Sequence, residues 1–206
     1  MLSRIFSNSS PQEPGASIAM LHVAKLSTGG REALCVVHGL ASRDAKVRTS
    51  LPLQLGQSVR LTLRSGCDLD ATVVASHTPK IYLMFKQAIP LPNLLAEQRR
   101  GNHTLESVRF AATGSAILYR DGQPLSCELV DISLFGARIR LEESNVAADE
   151  ALQIHIPDLL IQEATIRWKE DGDAGLSFRH SLGYNQLERW LEIQHDRAVM
   201  RRQQVR

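Results

Sequence analysis

Aromatic residues make up only 5% of the chain, so any core must be assembled from Leu, Ile, Val and Ala. Cysteine is scarcer still. Cys35, Cys67 and Cys127 stand far apart, odd in number and without a C-x-x-C spacing. That pattern argues against a disulfide framework or a zinc knuckle and fits a reducing compartment. No apolar run approaches the roughly 18 residues that would read as a membrane span, and Met1-Leu-Ser-Arg-Ile-Phe-Ser-Asn-Ser-Ser lacks the apolar block of a signal peptide. A soluble, cytoplasmic protein is expected. An excess of one charge is missing too: 24 Lys and Arg against 22 Asp and Glu leave a formal +2. No global basic field of the kind duplex binders carry exists, and neither DNA nor RNA is expected as a partner. H-E-x-x-H, G-x-S-x-G, P-loop and G-x-G-x-x-G patterns are absent. The seven histidines show no ligand-like spacing, and the pairs Glu142-Glu143 and Asp149-Glu150 fall in apparent loops. Neither an enzyme, a metal site nor a cofactor is expected.

What is present divides the 206 residues into parts. Residues 1–17 are polar and carry Pro and Gly, and read as a flexible tail. From Glu32 the pattern turns to short alternating runs: Ala33–Val37, Lys46–Thr49, Ser58–Leu63, Leu69–Val74 and Ile81–Phe85. Residues 91–106 interrupt them as a linker with arginines. A second round follows at Val108–Tyr119, Leu125–Val130, Ala137–Leu141, Leu152–Ile156, Glu163–Lys169 and Ala174–Phe178. Asp121-Gly122 and Asp171-Gly172 are strong two-residue hairpin signals within it. The chain closes in a helical segment with Tyr184, Leu187, Trp190 and Leu191 on one face.

The two rounds read as a diverged repeat, with an offset of 92 from Gly39–Val47 to Asp131–Ile139 and 93 from Ile81–Phe85 to Ala174–Phe178. The absence of crossover helices favours antiparallel barrels over a parallel sheet. The expected fold is all-β: two small six-stranded antiparallel barrels in tandem, at 18–90 and 107–206, the second with a C-terminal helix. The small net charge averages two unlike halves. Residues 1–92 hold 10 basic and 5 acidic side chains; residues 110–183 hold 6 basic and 12 acidic. Arg99, Arg100 and Arg109 lie at the joint, and suit a small anion or an acidic surface better than a nucleic-acid track.

One segment carries candidate chemistry: Asp131, Ser133 and Gly136 in Leu129-Val-Asp-Ile-Ser-Leu-Phe-Gly-Ala-Arg-Ile. By themselves they read as an Asx or Ser turn, with Gly136 supplying a positive φ. Alternation also puts Asp131 and Ser133 on one side of a strand, where a carboxylate could accept the paired N–H groups of a guanine edge and Gly136 would let that edge approach the backbone.

The Asp-x-Ser-x-x-Gly at 131–136 followed by Ala-Arg-Ile, the later Ile166-Arg-Trp and Gly175-Leu-Ser-Phe, and the terminal helix together resemble the PilZ domain over about 100 to 190. The first round resembles a degenerate copy. The resemblance implies a six-stranded barrel that binds the bacterial second messenger cyclic di-GMP. It also implies an Arg-x-x-x-Arg half-site leading into the first strand. Arg109 stands where the second arginine of that motif belongs, but Leu105 occupies the first position; Arg99 and Arg100, read as Arg99-x-x-x-His103, are the nearest substitutes. The implied ligand-binding residues are Arg99, Arg100, Arg109, Asp131, Ser133 and Gly136. In the first round Gly39, Ala41 and Asp44 replace Asp, Ser and Gly, and no nucleotide site is expected there. The alternative is an adaptor that binds no nucleotide and docks a partner protein through its barrels and basic C-terminal helix. A downstream protein partner is implied in either case, and self-association stays open.

Overall fold

A computed structural model describes residues 18–77, 79–91, 107–141 and 146–204. The expected tail (1–17), most of the linker (92–106) and with it Arg99 and Arg100 lie outside these residues.

Among the described residues, twelve strands and one long helix follow one another. The first set is β1 (Ile18–Thr28), β2 (Arg31–Leu40), β3 (Asp44–Arg48), β4 (Ser58–Thr62), β5 (Asp68–His77) and β6 (Lys80–Phe85). The second is β7 (Phe110–Arg120), β8 (Gln123–Ile132), β9 (Gly136–Arg140), β10 (Ala151–His155), β11 (Gln162–Glu170) and β12 (Asp173–Phe178), followed by α1 (Tyr184–Gln204). Each set closes on itself, β1-β2-β3-β6-β5-β4 and β7-β8-β9-β12-β11-β10, with antiparallel pairing throughout. Closure removes the sheet edges that would otherwise invite pairing with other chains. The expected all-β fold of two six-stranded barrels with a C-terminal helix is therefore the fold observed.

Two-residue turns set the register of the hairpins. Asp121 and Gly122, and Asp171 and Gly172, all have positive φ, as a turn matching the right-handed twist of its strands requires. Gly29 and Gly30 do the same between β1 and β2, so a strand precedes the first alternating run that is conspicuous in the sequence.

The repeat extends to irregularities. The β1–β2 ladder shifts between Ala19 and His22 and the β7–β8 ladder between Ala111 and Gly114, 92 residues on. Val37/Gly39 and Leu129/Asp131 form a second such pair at the same offset; Val73/Ala75 and Ile166/Trp168 form a third at 93. Core positions repeat likewise: Cys35 and Cys127, Val47 and Ile139, Phe85 and Phe178 are all buried. Burial pushes the Cys35 thiol up to about 12, and Cys127, where burial also dominates, to about 11.

The barrels are joined along β1, β2 and β7. Leu34 of β2 is 1% exposed and belongs to the second barrel's apolar cluster, with Val23 packed against the same cluster. Glu32 ties the seam: it accepts from Lys25 Nζ (2.8 Å) and from the Ala111 amide (3.1 Å), while Lys25 Nζ also donates to the Arg109 carbonyl (3.0 Å). The helix α1 clamps both sides. Leu187 and Trp190 are buried in the second cluster, and Trp190 Nε1 donates to the Pro157 carbonyl (2.9 Å). Glu188 meanwhile accepts from Ser50 Oγ of the first barrel (2.9 Å). The apolar stripe of α1 is thus spent on intramolecular packing. No helix among the described residues is long and apolar enough to cross a membrane.

Candidate functional site

Strand pairing brings Arg109 and Asp131 together. Arg109 immediately precedes β7, Phe110 lies opposite Ile132, and Ala111 lies opposite Asp131. The guanidinium therefore reaches the end of β8, where it forms an ion pair with Asp131 Oδ1. On the far side, Arg138 of β9 stands cross-strand from Asp131, with its Nε 3.8 Å from Asp131 Oδ2 and 3.4 Å from Asp173 Oδ2. That Nε is buried and makes no hydrogen bond. Arg140 continues the row, bonding Asp173 at 3.0 Å. Asp131 is thus a half-buried carboxylate held between two cations.

Ser133 takes a different place from the one that strand alternation suggests. β8 ends at Ile132, so Ser133 begins a turn instead of sharing a strand face with Asp131. It is 3% exposed. Its Oγ donates to the Gly136 carbonyl (3.2 Å) and accepts from the Phe135 amide (3.3 Å), and its own amide donates to the Gly136 carbonyl (2.8 Å). The hydroxyl locks the turn. Gly136 has no positive φ; it is required by a close approach. A Cβ there would lie 2.0 Å from the Leu176 carbonyl oxygen of β12. The first barrel keeps the same turn without the chemistry. The Ala41 amide donates to the Asp44 carbonyl at 2.8 Å, the counterpart of Ser133 and Gly136, and Gly39 stands where Asp131 would be.

Beside this turn opens a cavity of about 940 Å³, lined by Arg109, Ser133, Gly136, Arg167 and Trp168 of the second barrel and by Arg64 of the first. Trp168 lies across Gly175, whose missing side chain makes room for the indole: a Cβ there would be 2.0 Å from Trp168 Nε1. The indole is substantially exposed, and it offers a flat face for a base to stack on. Of the candidates read from the sequence, the structure gathers Arg109, Asp131, Ser133 and Gly136 around one turn; Arg99 and Arg100 lie outside the described residues. The residues that sequence reasoning missed are Arg138, Arg167, Trp168 and Arg64. For Trp168 a signal existed in Ile166-Arg-Trp; for Arg64, on the other barrel, there was none. No cluster of His, Cys, Asp and Glu able to hold a metal ion occurs among the described residues.

Residues 98–192 match the family model described as the PilZ domain. No curated protein sequence matches the chain. Among solved structures, PlzA of Borreliella burgdorferi in complex with c-di-GMP is 14% identical, over 88% of this chain and 93% of its own, with a TM-score of 0.37. YcgR of Escherichia coli, also in complex with c-di-GMP, is 16% identical over 90% and 89%, at 0.37. The Bacillus subtilis inhibitor of motility MotI (DgrA) is 13% identical over 92% and 99%, at 0.36.

Proposed function

With a PilZ domain over residues 98–192 of this chain, we propose that the protein is a receptor for cyclic di-GMP, which it captures beside the 131–136 turn. The observation that carries this reading is the pairing of Arg109 with Asp131 at the lip of that turn. The two groups are complementary to one guanine. A carboxylate accepts from N1–H and the 2-amino group together, while a guanidinium forks onto O6 and N7, stacks on the base, or grips a phosphate. Without ligand they neutralise each other, so binding exchanges partners and leaves neither charge stranded.

In this reading Ser133 and Gly136 act through the backbone. The hydroxyl fixes the turn, and the glycine lets β9 and β12 close beneath it. Arg99 and Arg100 supply additional guanidinium contacts from the segment before Arg109. Ligand bound beside the barrel seam favours one arrangement of the two barrels, and a contact made in only one arrangement shifts the population toward it. No catalytic step is involved.

Isothermal titration of the full chain with cyclic di-GMP tests the proposal. Asp131→Ala and Arg109→Ala each remove a charge-assisted contact worth about 1.5–3 kcal/mol, a loss of roughly ten- to hundred-fold in affinity. Absence of binding by the folded wild type at high micromolar nucleotide would sink the reading.

A further inference from the structure

A second basic cavity, of about 450 Å³, shares no lining residue with the one beside the 131–136 turn. Three elements deliver its groups. Arg31 follows the Gly29-Gly30 turn at the start of β2 and is half-buried. On α1, Leu191, His195, Ala198 and Arg201 recur at intervals of three and four residues and so share one face; His195 is half-buried as well. In β7, the register shift sets Ala112 and Thr113 against the single residue between Leu129 and Asp131. A bulge re-aims the side chains it carries, and Thr113 joins the lining.

Charge does not balance inside this cavity. Among the described residues its one carboxylate is Glu32, which is spent on Lys25 Nζ (2.8 Å) and the Ala111 amide (3.1 Å). Arg197 is held by Asp158 through both terminal nitrogens. Arg31 and Arg201 remain, and among the described residues no ion pair joins either to a carboxylate. Arg201 lies in the last turn of α1, where the helix dipole favours a cation. No such reason applies to Arg31, which comes from the first barrel.

We propose that this cavity binds a phosphate group, carried by a small phosphorylated metabolite or free as inorganic phosphate. A guanidinium forks onto two phosphate oxygens at once, and the imidazole of His195 and the hydroxyl of Thr113 supply further donors. A dianion seated between Arg31 and Arg201 replaces the repulsion of two like charges by attraction to both. The volume is of the size small-molecule sites have, and Leu191 and Ala198 offer apolar surface to the organic part of an ester. This site does not depend on the receptor reading above.

Titration calorimetry of the full chain with inorganic phosphate and with phenyl phosphate, at constant ionic strength in chloride, tests the proposal; thermal melting checks that each variant is folded. Wild type is expected to bind phenyl phosphate with a Kd of about 1 mM or below. Arg31→Ala and Arg201→Ala should each weaken it by roughly tenfold or more, with Arg31→Lys between. Arg202→Ala, which removes the same charge from the same helix outside the lining, should stay within about two-fold, as should Asp131→Ala. Phenyl phosphate tighter than inorganic phosphate assigns an ester as the ligand; equal affinities assign free phosphate. Failure of wild type to bind either at about 10 mM, or a loss in Arg202→Ala as large as in Arg31→Ala and Arg201→Ala, overturns the site. A comparable loss in Asp131→Ala also overturns it, because the anion then belongs to the turn. Whether wild type binds cyclic di-GMP leaves these outcomes unchanged, so the two readings fall separately.

Discussion

Substituting Gly136 by alanine separates two roles a glycine can have beside a ligand site. If Gly136 only admits a ligand, G136A should fold normally and bind poorly. The structure says otherwise. The added Cβ would lie 2.0 Å from the Leu176 carbonyl oxygen, 3.1 Å from the carbonyl carbon and 3.4 Å from Ser177 Cα. All three are backbone atoms of β12, paired with β9 through Gly136–Ser177 and Ala137–Leu176. They cannot rotate away, so β9 and β12 must part by about 1 Å at the point where the turn is anchored. Overpacking of this kind costs about 1–3 kcal/mol, and losing one ladder hydrogen bond adds about 1 kcal/mol. The sum is about 2–4 kcal/mol, or roughly 5–15 °C in Tm for a protein of this size. Gly175 is the internal control. Its added Cβ would also meet an atom at 2.0 Å, but that atom is Trp168 Nε1, on a side chain with solvent to swing into. G175A should cost about 1 kcal/mol or less and shift the tryptophan emission as the indole leaves its seat. Urea unfolding followed by far-UV circular dichroism measures both. A G136A protein within about 0.5 kcal/mol of wild type, or one no less stable than G175A, would refute the close-approach explanation.

Other consequences follow from the seam and the cores. Leu34→Ala should cost about 2–5 kcal/mol, and because Leu34 packs in the second barrel's cluster, amide exchange should accelerate in β7–β12 as well as in β2; acceleration confined to the first barrel would contradict that assignment. The buried thiols make stability fall in alkali. Unfolded cysteines ionise near 9.0, whereas folded Cys35 and Cys127 hold their protons to about 12 and about 11. Above pH 9 the unfolded chain therefore binds fewer protons, and each thiol removes up to about 1.4 kcal/mol of stability per pH unit. Urea midpoints at pH 8, 9 and 10 should fall less steeply in Cys35→Ala than in wild type, and equal slopes would exclude this cause.

The features legible in the sequence are those set by short-range chemistry. Period-two alternation marked most strands, Asp121-Gly122 and Asp171-Gly172 marked their hairpins, and the offset of 92 to 93 marked a duplication that the ladder shifts reproduce. Steric and hydrogen-bonding preferences within a few residues suffice for each of these. β1 was harder to read because its outward face is not simply wet: Val23 packs on the second barrel and Lys25 is tied into the seam, which blurs the alternation of apolar and polar residues. The site divides the same way. Asp131 and Arg109 were legible as chemistry, from residue type and spacing. Tertiary structure decided that Ser133 is a buried turn lock, since β8 ends one residue before it. It also decided that Gly136 answers to a carbonyl forty residues away on β12. Arg64 depends on it most of all. Nothing local distinguishes that arginine, and its place in the cavity wall follows from how one barrel docks on the other through Leu34, Glu32 and α1. Docking is fixed by the summed fit of residues distant in sequence, and no window along the chain contains that sum.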